Sequence, residues 1–221
     1  MKTSIIIPVF NCEKFLEEAI RSALYQEDAE SEVIVVDDGS TDGSLAVANK
    51  YKGFITIISQ PNSGVAAARN HGARIATGEC LLFLDCDDWI DSNYLAETVP
   101  MMQNPQVGIV STDMQRFGLR NDRVVPTGTT LSHELYSNDL PVTSLIRREA
   151  FPGYRKLLCN GAYADWCLWI DILKQGWQVA TTSTTLFHYR VSTGTMASTT
   201  HGHEADLIAE IRSIHRELYT V

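Results

Sequence analysis

The sequence predicts an α/β fold with a mostly parallel sheet flanked by helices. Short β-branched or aliphatic runs alternate with amphipathic helical patterns over the first 112 residues, and strands that alternate with helices favour a parallel sheet. The strand-like runs are almost uniformly apolar, as in strands buried on both faces. Together these observations predict a Rossmann-like architecture.

The elements of this first part follow in the order strand, helix, strand. The first helix is well defined, because apolar residues recur every three or four positions from Phe15 to Leu24 and form one stripe. Ser40 or Thr41 would cap the second helix. The predicted strands are Ser4–Val9, Glu32–Val36, Phe54–Ser59, Cys80–Leu84 and Val107–Thr112. The predicted helices are Glu13–Tyr25, Gly43–Tyr51, Gly64–Ala76 and Asn93–Gln103.

Beyond Thr112 the pattern weakens. Polar residues, glycines and prolines dominate from Met114 to Ser144, which predicts long loops with room for a short strand. Such a stretch is typical of a binding or lid element, with local disorder as the alternative. Ordered structure is predicted at Val142–Ile146, in a helix at Asp165–Gln175, in strands at Gln178–Thr182 and Thr185–Val191, and in an amphipathic helix at Glu204–Leu218. We expect that last helix to pack on the domain, with a homodimer contact as the alternative.

Composition excludes some classes of protein. The formal charge of −9 argues against a nucleic-acid binder, which needs clustered Lys and Arg. No apolar run reaches the length of a transmembrane segment, so we expect a cytoplasmic protein, either free or bound peripherally at the inner face of the membrane. Five cysteines without zinc-like spacing predict reduced, mostly buried thiols. Their positions are Cys12, Cys80, Cys86, Cys159 and Cys167.

Acidic clusters follow two of the predicted strands. Asp37-Asp38 comes after Val33–Val36, and Asp85-Cys86-Asp87-Asp88 comes after Leu81–Leu84. Carboxylates at the carboxyl ends of parallel strands point into the ligand crevice. Either cluster alone would be explained by a solvated turn, but two at matching strand ends indicate a site for a metal and a diphosphate. Asp165 adds a third carboxylate at the start of a predicted helix.

Five segments in this order resemble the inverting family-2 glycosyltransferases, whose nucleotide-sugar domain has the A-type glycosyltransferase fold. The segments are Ile7-Pro8-Val9-Phe10-Asn11, Val36-Asp37-Asp38-Gly39-Ser40-Thr41-Asp42, Asn62-Ser63-Gly64-Val65-Ala66-Ala67-Ala68-Arg69-Asn70, Leu84-Asp85-Cys86-Asp87-Asp88 and Ala164-Asp165-Trp166-Cys167-Leu168-Trp169. The resemblance runs over about 190 residues. It implies a nucleotide-sugar-binding and catalytic domain over residues 1–200 and a C-terminal amphipathic helix over residues 201–221.

The resemblance also implies a donor site for a nucleotide-diphosphate sugar, with a uridine sugar favoured. Pro8 and Phe10 would line the base pocket, and Asp38 would accept a hydrogen bond from a uracil ring N–H. Asp85 would face the ribose. The guanidinium of Arg69 would reach a phosphate or the acidic cluster, with a surface salt bridge as the alternative.

The metal is predicted to be Mn²⁺ or Mg²⁺. Asp85 and Asp87 are two apart, so only a turn lets both serve one ligand set, and the resemblance assigns Asp87 to the metal. By the same resemblance His188 would complete the metal shell and Arg190 would grip the diphosphate, both from one face of a strand. A structural histidine is the alternative for His188. Asp88 has a second interpretation as the cap of a helix that follows Trp89.

A base must take the acceptor proton, and the resemblance assigns this role to Asp165. The family has an acidic pair here, whereas this chain has Ala164-Asp165. A helix N-terminus favours the carboxylate form, so we expect Asp165 to be ionised at pH 7. A simple helix cap is the alternative.

Three functional hypotheses follow. The first is a metal-dependent inverting glycosyltransferase that moves one sugar to an acceptor hydroxyl, in a glycan, a lipid-linked or a small-molecule acceptor, in cell-envelope or exopolysaccharide synthesis. Ala164 motivates the second, a catalytically inactive nucleotide-binding relative that acts as a regulatory or scaffold subunit. The third is a nucleotidyltransferase, but the sequence lacks the glycine-rich amino-terminal loop of that class of enzyme. The sequence contains no GxGxxG or GxxxxGK[ST] motif, so reductase and ATPase functions are not supported.

Overall fold

The computed structural model describes residues 1–127, 129–157, 163–193 and 203–219. Within these ranges the predicted α/β class is confirmed: helices flank a nine-stranded sheet with the order β3-β2-β1-β4-β8-β6-β9-β5, and β7 pairs with β6. Cys159 and the predicted boundary between residues 200 and 201 lie outside the described residues.

The first four strands form the regular part of the sheet. Strand β1 pairs in parallel with β2 on one side and with β4 on the other, and β3 extends the sheet beyond β2. The chain therefore leaves β1 first in one direction and later in the other, which creates a topological switch point at β1 and β4. The elements are β1 Thr3–Val9, α1 Leu16–Leu24, β2 Ser31–Asp37, α2 Ser44–Asn49, β3 Thr56–Ser59, α3 Val65–Ile75 and β4 Cys80–Phe83.

The second part of the sheet is mixed. Strand β8 is antiparallel to both β4 and β6, β6 is parallel to β9, and β5 and β7 are antiparallel to their partners. Its strands are β5 Trp89–Ile90, β6 Val107–Gly118, β7 Asp122–Val124, β8 Leu145–Arg147 and β9 Gln178–Val191. Its helices are α4 Tyr94–Thr98, α5 Leu131–Glu134 and α6 Ala164–Leu173, with 3-10 turns at Val99–Gln103 and Arg148–Ala150. Strand β8 therefore separates two strands, β4 and β6, that run in the same direction.

Small residues set the distance between α3 and the sheet. A Cβ atom at Gly72 would collide with the side chain of Ile6 on β1. Ala66, Ala68 and Ala73 on the same helix are buried. The close packing of α3 on β1 fixes the position of every side chain that the helix carries toward the carboxyl ends of the strands.

Several predicted boundaries were wrong for local reasons. Helix α1 begins at Leu16, because the backbone N–H of Phe15 closes a turn on Cys12 at 3.1 Å. The predicted helix Asn93–Gln103 becomes a 3-10 turn at Val99, next to Pro100, which lacks the N–H that an α-helix needs. Strand β6 runs to Gly118, into the stretch predicted as loop, because β7 and β9 pair with its far end.

The C-terminal helices are α7 Glu204–Ile214 and α8 Arg216–Tyr219. Leu207 and Ile211 are buried, so α7 packs on the same chain. Beyond α7, His215 lies 3.3 Å from the Cys167 thiol of α6. None of the helices in the described ranges has the length and apolar character needed to span a bilayer.

Cys167, Asp171 and His215 form the one close group of three potential metal ligands among the described residues, with ligand atoms within 4.8 Å of one another. The Asp171 carboxylate already pairs with Arg155 at 2.6 Å and with Lys174 at 2.7 Å. Burial raises the pKa of the Cys167 thiol to about 12. Two cations and a protonated thiol disfavour a metal ion, so we assign this cluster to holding the C-terminal segment on α6.

Candidate active site

A crevice of about 640 Å³ opens at the carboxyl ends of β1, β2 and β4. This is the switch point of the sheet, where open α/β sheets bind ligands. Pro8 and Phe10, which are predicted to form the base pocket, both line the crevice, and Phe10 is 49% exposed. Asp38, Asp85 and Asp87 line it as well, so the structure brings together five residues that were predicted from separate segments.

Asp38 is tied to its own chain at the edge of the crevice. Its carboxylate accepts hydrogen bonds from the Gln60 amide at 2.7 Å, the Ser63 N–H at 2.9 Å and the Gly64 N–H at 2.8 Å. Gly64 has a φ of +90° and precedes α3 directly. Asp38 therefore fixes the start of α3. A carboxylate has about four acceptor positions. Three are used here, so about one remains for a hydrogen-bond donor of a ligand.

The acidic segment after β4 is a turn, as the spacing of its carboxylates requires. The Asp88 N–H donates to the carbonyl oxygen of Asp85 at 3.1 Å, and Asp85 and Asp87 both line the crevice. Asp88 is not a helix cap. Strand β5 begins at the next residue, and the Asp88 carboxylate accepts the Arg190 N–H at 2.7 Å. That interaction fixes the turn on strand β9.

The carboxyl groups of Asp87 and Asp88 in this turn are only partly compensated by positive charge, which comes from Arg190. Burial and the negative charge of Asp85 raise the pKa of Asp87 to about 6. Burial, with the charges of Asp87 and Asp85, holds the pKa of Asp88 well above its usual range, and its second carboxylate oxygen has no hydrogen-bond partner among the described residues. Crowded carboxylates with raised pKa values fit a site completed by a cation.

Arg69 is buried, so the alternative of a surface salt bridge was wrong. It is 5% exposed, and its guanidinium donates to Asp85 at 2.6 Å while stacking over the Tyr154 ring at 5.0 Å. Of the two predicted targets, the acidic cluster is the one that it contacts. Its charge also acts on Asp165, where it lowers the pKa.

Strand β9 places His188 and Arg190 differently from the prediction. Tyr189 lines the crevice, whereas its neighbours do not, because side chains alternate along a strand. The His188 ring stacks on Trp89 at 3.5 Å, and its Nε2 lies 3.2 Å from an oxygen of Asp91. To reach a metal at Asp87, His188 would have to leave both partners. The position favours the structural alternative.

Arg190 is also occupied at the crevice edge. Its Nε donates to the carbonyl oxygen of Asp87 at 2.8 Å, its guanidinium pairs with Glu18, and it lies over the rings of Phe15 at 4.3 Å and Phe117 at 4.5 Å. In this arrangement Arg190 supports the acidic turn from behind. Contact with a diphosphate would require the Glu18 pair to break.

Asp165 lies in the first turn of α6, as predicted, and is half-buried. Burial raises its pKa, which opposes the effect expected from the helix N-terminus alone. The charge of Arg69, the backbone N–H groups at the helix start and the Asn138 amide lower it again. Asn138 Nδ2 donates to Asp165 Oδ2 at 3.4 Å. Asp165 is not among the residues that line the crevice.

The structure adds residues that the sequence did not indicate. Tyr189 and the thiols of Cys12 and Cys86 line the crevice, and the segment from Leu131 to Leu140 packs around the start of α6. Trp166 Nε1 donates to the Glu134 carbonyl oxygen at 2.5 Å, and Trp169 Nε1 donates to the Leu140 carbonyl oxygen at 3.0 Å. The sequence contains one indication of this packing: Glu134 follows Leu131 by three positions, so both residues lie on one face of the short helix α5.

Residues 4–160 match the family described as Glycosyl transferase family 2. This match covers most of the chain and includes four of the five segments that carry the resemblance. The chain belongs to glycosyl transferase family 2. Its fold is therefore that of a family member.

Curated relatives support this assignment over different lengths. The family-2 chain is 32% identical over 181 residues to an uncharacterized glycosyltransferase of Haemophilus influenzae, covering 78% of this chain and 72% of the relative. It is 28% identical over 209 residues to the UDP-Glc:alpha-D-GlcNAc-diphosphoundecaprenol beta-1,3-glucosyltransferase WfaP of Escherichia coli, covering 88% and 79%. A cholesterol galactosyltransferase of Borreliella burgdorferi is 42% identical over 97 residues, covering 42% of this chain but only 27% of that relative's length.

Solved structures show the same fold. S. aureus TarS 1-349 in complex with UDP superposes with a TM-score of 0.73 at 26% identity, covering 87% of this chain and 61% of TarS 1-349. Glucosyl-3-phosphoglycerate synthase from Mycobacterium tuberculosis, in complex with Mn²⁺, UDP and glucosyl-3-phosphoglycerate, gives a TM-score of 0.69 at 20% identity, covering 96% and 79%.

Proposed function

We propose that this family-2 chain is a metal-dependent, inverting glycosyltransferase that moves one sugar from a uridine diphosphate sugar to an acceptor hydroxyl. The observation that carries the proposal is the crevice at the switch point, where residues from three strand ends meet beside a crowded acidic turn. The UDP complex of TarS and the UDP-Glc specificity in the name of WfaP support a uridine donor.

The nucleotide would lie with its base against Pro8 and Phe10. Asp38 would accept from the uracil ring N–H with its remaining lone pair, and Asp85 would face the ribose. Asp38 is already oriented by three hydrogen bonds, so little ordering is needed on binding. A cytosine ring nitrogen at the same position carries no proton, which gives the carboxylate a means of discrimination.

A divalent cation fits the acidic turn because oxygen donors are what Mn²⁺ and Mg²⁺ prefer. Asp87 would hold it, with Asp85 beside it. When bound, such an ion neutralises the charge that develops on the leaving diphosphate. The Mn²⁺ in the M. tuberculosis enzyme of the same fold agrees with this choice.

Asp165 would act as the base. It would take the proton of the acceptor hydroxyl while the acceptor oxygen bonds to the anomeric carbon and the bond from that carbon to the diphosphate breaks. The products are the glycosylated acceptor, the nucleoside diphosphate and a proton on Asp165, which passes to solvent. A single displacement of this kind inverts the anomeric carbon.

The acceptor side is proposed from resemblance and from the relatives. WfaP takes a diphosphoundecaprenol-linked sugar and the Borreliella relative takes cholesterol, so a lipid-linked glycan of the cell envelope is our choice for the acceptor. A glycan or small-molecule acceptor, a homodimer and a cytoplasmic location, free or peripheral at the membrane, remain predictions.

The test is transfer from UDP-glucose, UDP-galactose and UDP-N-acetylglucosamine to lipid-linked and free sugar acceptors, with and without Mn²⁺. We expect Mn²⁺-dependent transfer with one donor, and a β-linked product by NMR from an α-linked donor. Retained configuration would contradict the single displacement. Mn²⁺-dependent UDP binding without turnover on any acceptor would favour the inactive relative, which Ala164 motivates.

A further inference from the structure

Glu134 carries a buried carboxyl group that has no hydrogen-bond partner in the part of the chain that the structure describes. Its side chain is fully buried, and neither carboxylate oxygen has a hydrogen-bond partner among the described residues. The N–H of Asp139 approaches it without hydrogen-bond geometry. Native proteins pair nearly all such groups, because an unpaired buried carboxyl destabilises the fold. Packing alone therefore gives no reason for a glutamate at this position.

The backbone of Glu134 is hydrogen-bonded to α6, the helix that carries the proposed base. The backbone carbonyl oxygen of Glu134 accepts a hydrogen bond from Trp166 Nε1 at 2.5 Å, and Trp166 directly follows Asp165. Four residues further on, Asn138 donates to the Asp165 carboxylate. The segment from Leu131 to Leu140 thus brings one amide and one carboxyl group to the start of α6.

The two carboxyl groups have opposite surroundings. Asp165 faces the Arg69 charge, the Asn138 amide and the N–H groups of its helix. The charges that act on Glu134 from the described residues are the carboxylates of Asp139 and Asp165. Asp139 is itself held by His133 at 2.7 Å and by Ser137 at 2.7 Å. From the C-terminal side, the Tyr219 hydroxyl donates to the next carbonyl, that of Leu135.

We propose that Glu134 is the second carboxyl group of the base site, and that it keeps a proton so that the single negative charge of the pair stays on Asp165. This inference rests on the base role proposed for Asp165. Glu134 then occupies, from a different segment, the role left open by Ala164. A pair of titratable groups with opposite surroundings is how one site keeps an acid and a base apart.

The raised pKa of Glu134 agrees with this assignment. Burial and the charges of Asp139 and Asp165 raise it to about 8, so Glu134 is protonated at pH 7. When Asp165 takes the acceptor proton, the pair holds two protons and no charge. Release of one proton to solvent restores the starting state.

The first test is the pH dependence of unfolding for the full chain and its E134Q variant. The unfolded glutamate ionises near 4.5 and the folded one near 8, so the wild type loses stability as pH rises between these values, and glutamine does not. We expect E134Q to raise the ratio of folded to unfolded protein at pH 8 by at least about tenfold relative to its effect at pH 5. The E149Q change at an exposed position is the matched control and should show no such difference.

Coupling to Asp165 is tested by repeating the comparison in a D165N background. With one repelling carboxylate removed, the gain from E134Q at pH 8 should be smaller. An equal gain in both backgrounds, or a loss at pH 8, would overturn the proposal. If E134Q fails to fold, E134M, which cannot titrate either, is measured in the same way. This cycle needs no turnover, so it is independent of the proposed reaction.

The second test is the pH profile of kcat/KM for sugar transfer. Above pH 8 an ionised Glu134 repels Asp165 and strains the Asn138 contact, so we expect the wild-type value to fall about threefold and E134Q to remain level. An alkaline limb that persists in E134Q would refute the positioning role while leaving Asp165 as the base. No transfer by the wild type with any donor would count against the proposed function, and the unfolding cycle would still decide the state of Glu134.

Discussion

Two groups of acidic side chains lie in different parts of this molecule and are handled in different ways. The turn Asp85–Asp88, the open region, borders the crevice, and its carboxyl groups repel one another with only partial compensation from Arg69 and Arg190. The pair Glu134 and Asp165, the closed region, lies on α5 and α6, and neither residue lines the crevice. There the surroundings differ for each member: the Arg69 charge and hydrogen-bond donors offset part of the effect of burial on Asp165, whereas the charges that act on Glu134 are those of other carboxylates.

Under the function proposed above, one residue type serves two tasks. The crowded carboxylates of the open turn would hold a cation. The separated environments of Glu134 and Asp165 would let Asp165 act as a base with protein groups alone. Arg69 links the regions, because it pairs with Asp85 and its charge also lowers the pKa of Asp165.

The largest expected effect is on the closed region. Asp165→Asn should lower kcat for sugar transfer roughly a thousandfold, since an amide cannot take the acceptor proton. UDP affinity should stay within about twofold, because Asp165 does not line the crevice. Asp206→Asn, in the first turn of α7, is the control. Full activity in Asp165→Asn would show that Asp165 is not the base.

The open region is tested by Asp87→Ala, which should weaken UDP binding in the presence of Mn²⁺ by at least about tenfold. His188→Gln should change it by less than about twofold, because His188 is held by Trp89 and Asp91. Titration calorimetry measures both. An equal loss in the two variants would mean that His188 turns into the metal shell, as the resemblance implies.

Arg69→Met tests the link between the regions. Loss of the guanidinium leaves Asp85 unpaired and should reduce the free energy of unfolding by about 2 kcal/mol. This is less than for a fully buried pair, because the Asp85 side chain is 29% exposed and solvent screens its charge. It should also raise the pKa of Asp165 further, so the acid limb of the kcat/KM profile moves to higher pH. Arg116→Met, at an exposed pair with Asp122, should reduce the free energy of unfolding much less, because solvent screens that pair.

The smallest effect is expected for Asn138→Ala. The 3.4 Å contact with Asp165 is long for a hydrogen bond, and its loss should lower kcat/KM near pH 6 roughly threefold by raising the pKa of Asp165. Ser137→Ala, one residue away, should leave the acid limb in place. Identical profiles for Asn138→Ala and the wild type would show that Asn138 does not orient the base.

Sequence patterns were sufficient for the open region because its parts are local. Asp38 follows β2 directly, Asp85 and Asp87 lie in the turn after β4, and parallel strand ends meet at one edge of a sheet. The break at Pro100 had a signal of its own in the missing N–H. The strand after Asp88 had none, because Trp89–Ile90 is ordered by pairing with a strand about 100 residues later.

The closed region was predictable only in part. Asp165 was singled out by its place before a tryptophan-rich helix, but Asn138 contacts it, and Glu134 contacts the neighbouring Trp166, across about 30 residues of sequence. The face that His188 presents depends on register shifts between β6 and β9 near Thr112 and Asp113. Strand alternation is reliable only from a known starting residue, and each shift resets it.

The most direct test of the division between the two regions is titration calorimetry of UDP, with and without Mn²⁺, on the wild type, Asp87→Ala and Asp165→Asn. We predict Mn²⁺-dependent binding by the wild type and Asp165→Asn, and its loss in Asp87→Ala. Loss of UDP binding in Asp165→Asn would contradict the separation of donor binding from the base. UDP binding by the wild type that does not depend on Mn²⁺ would contradict the metal site at Asp87.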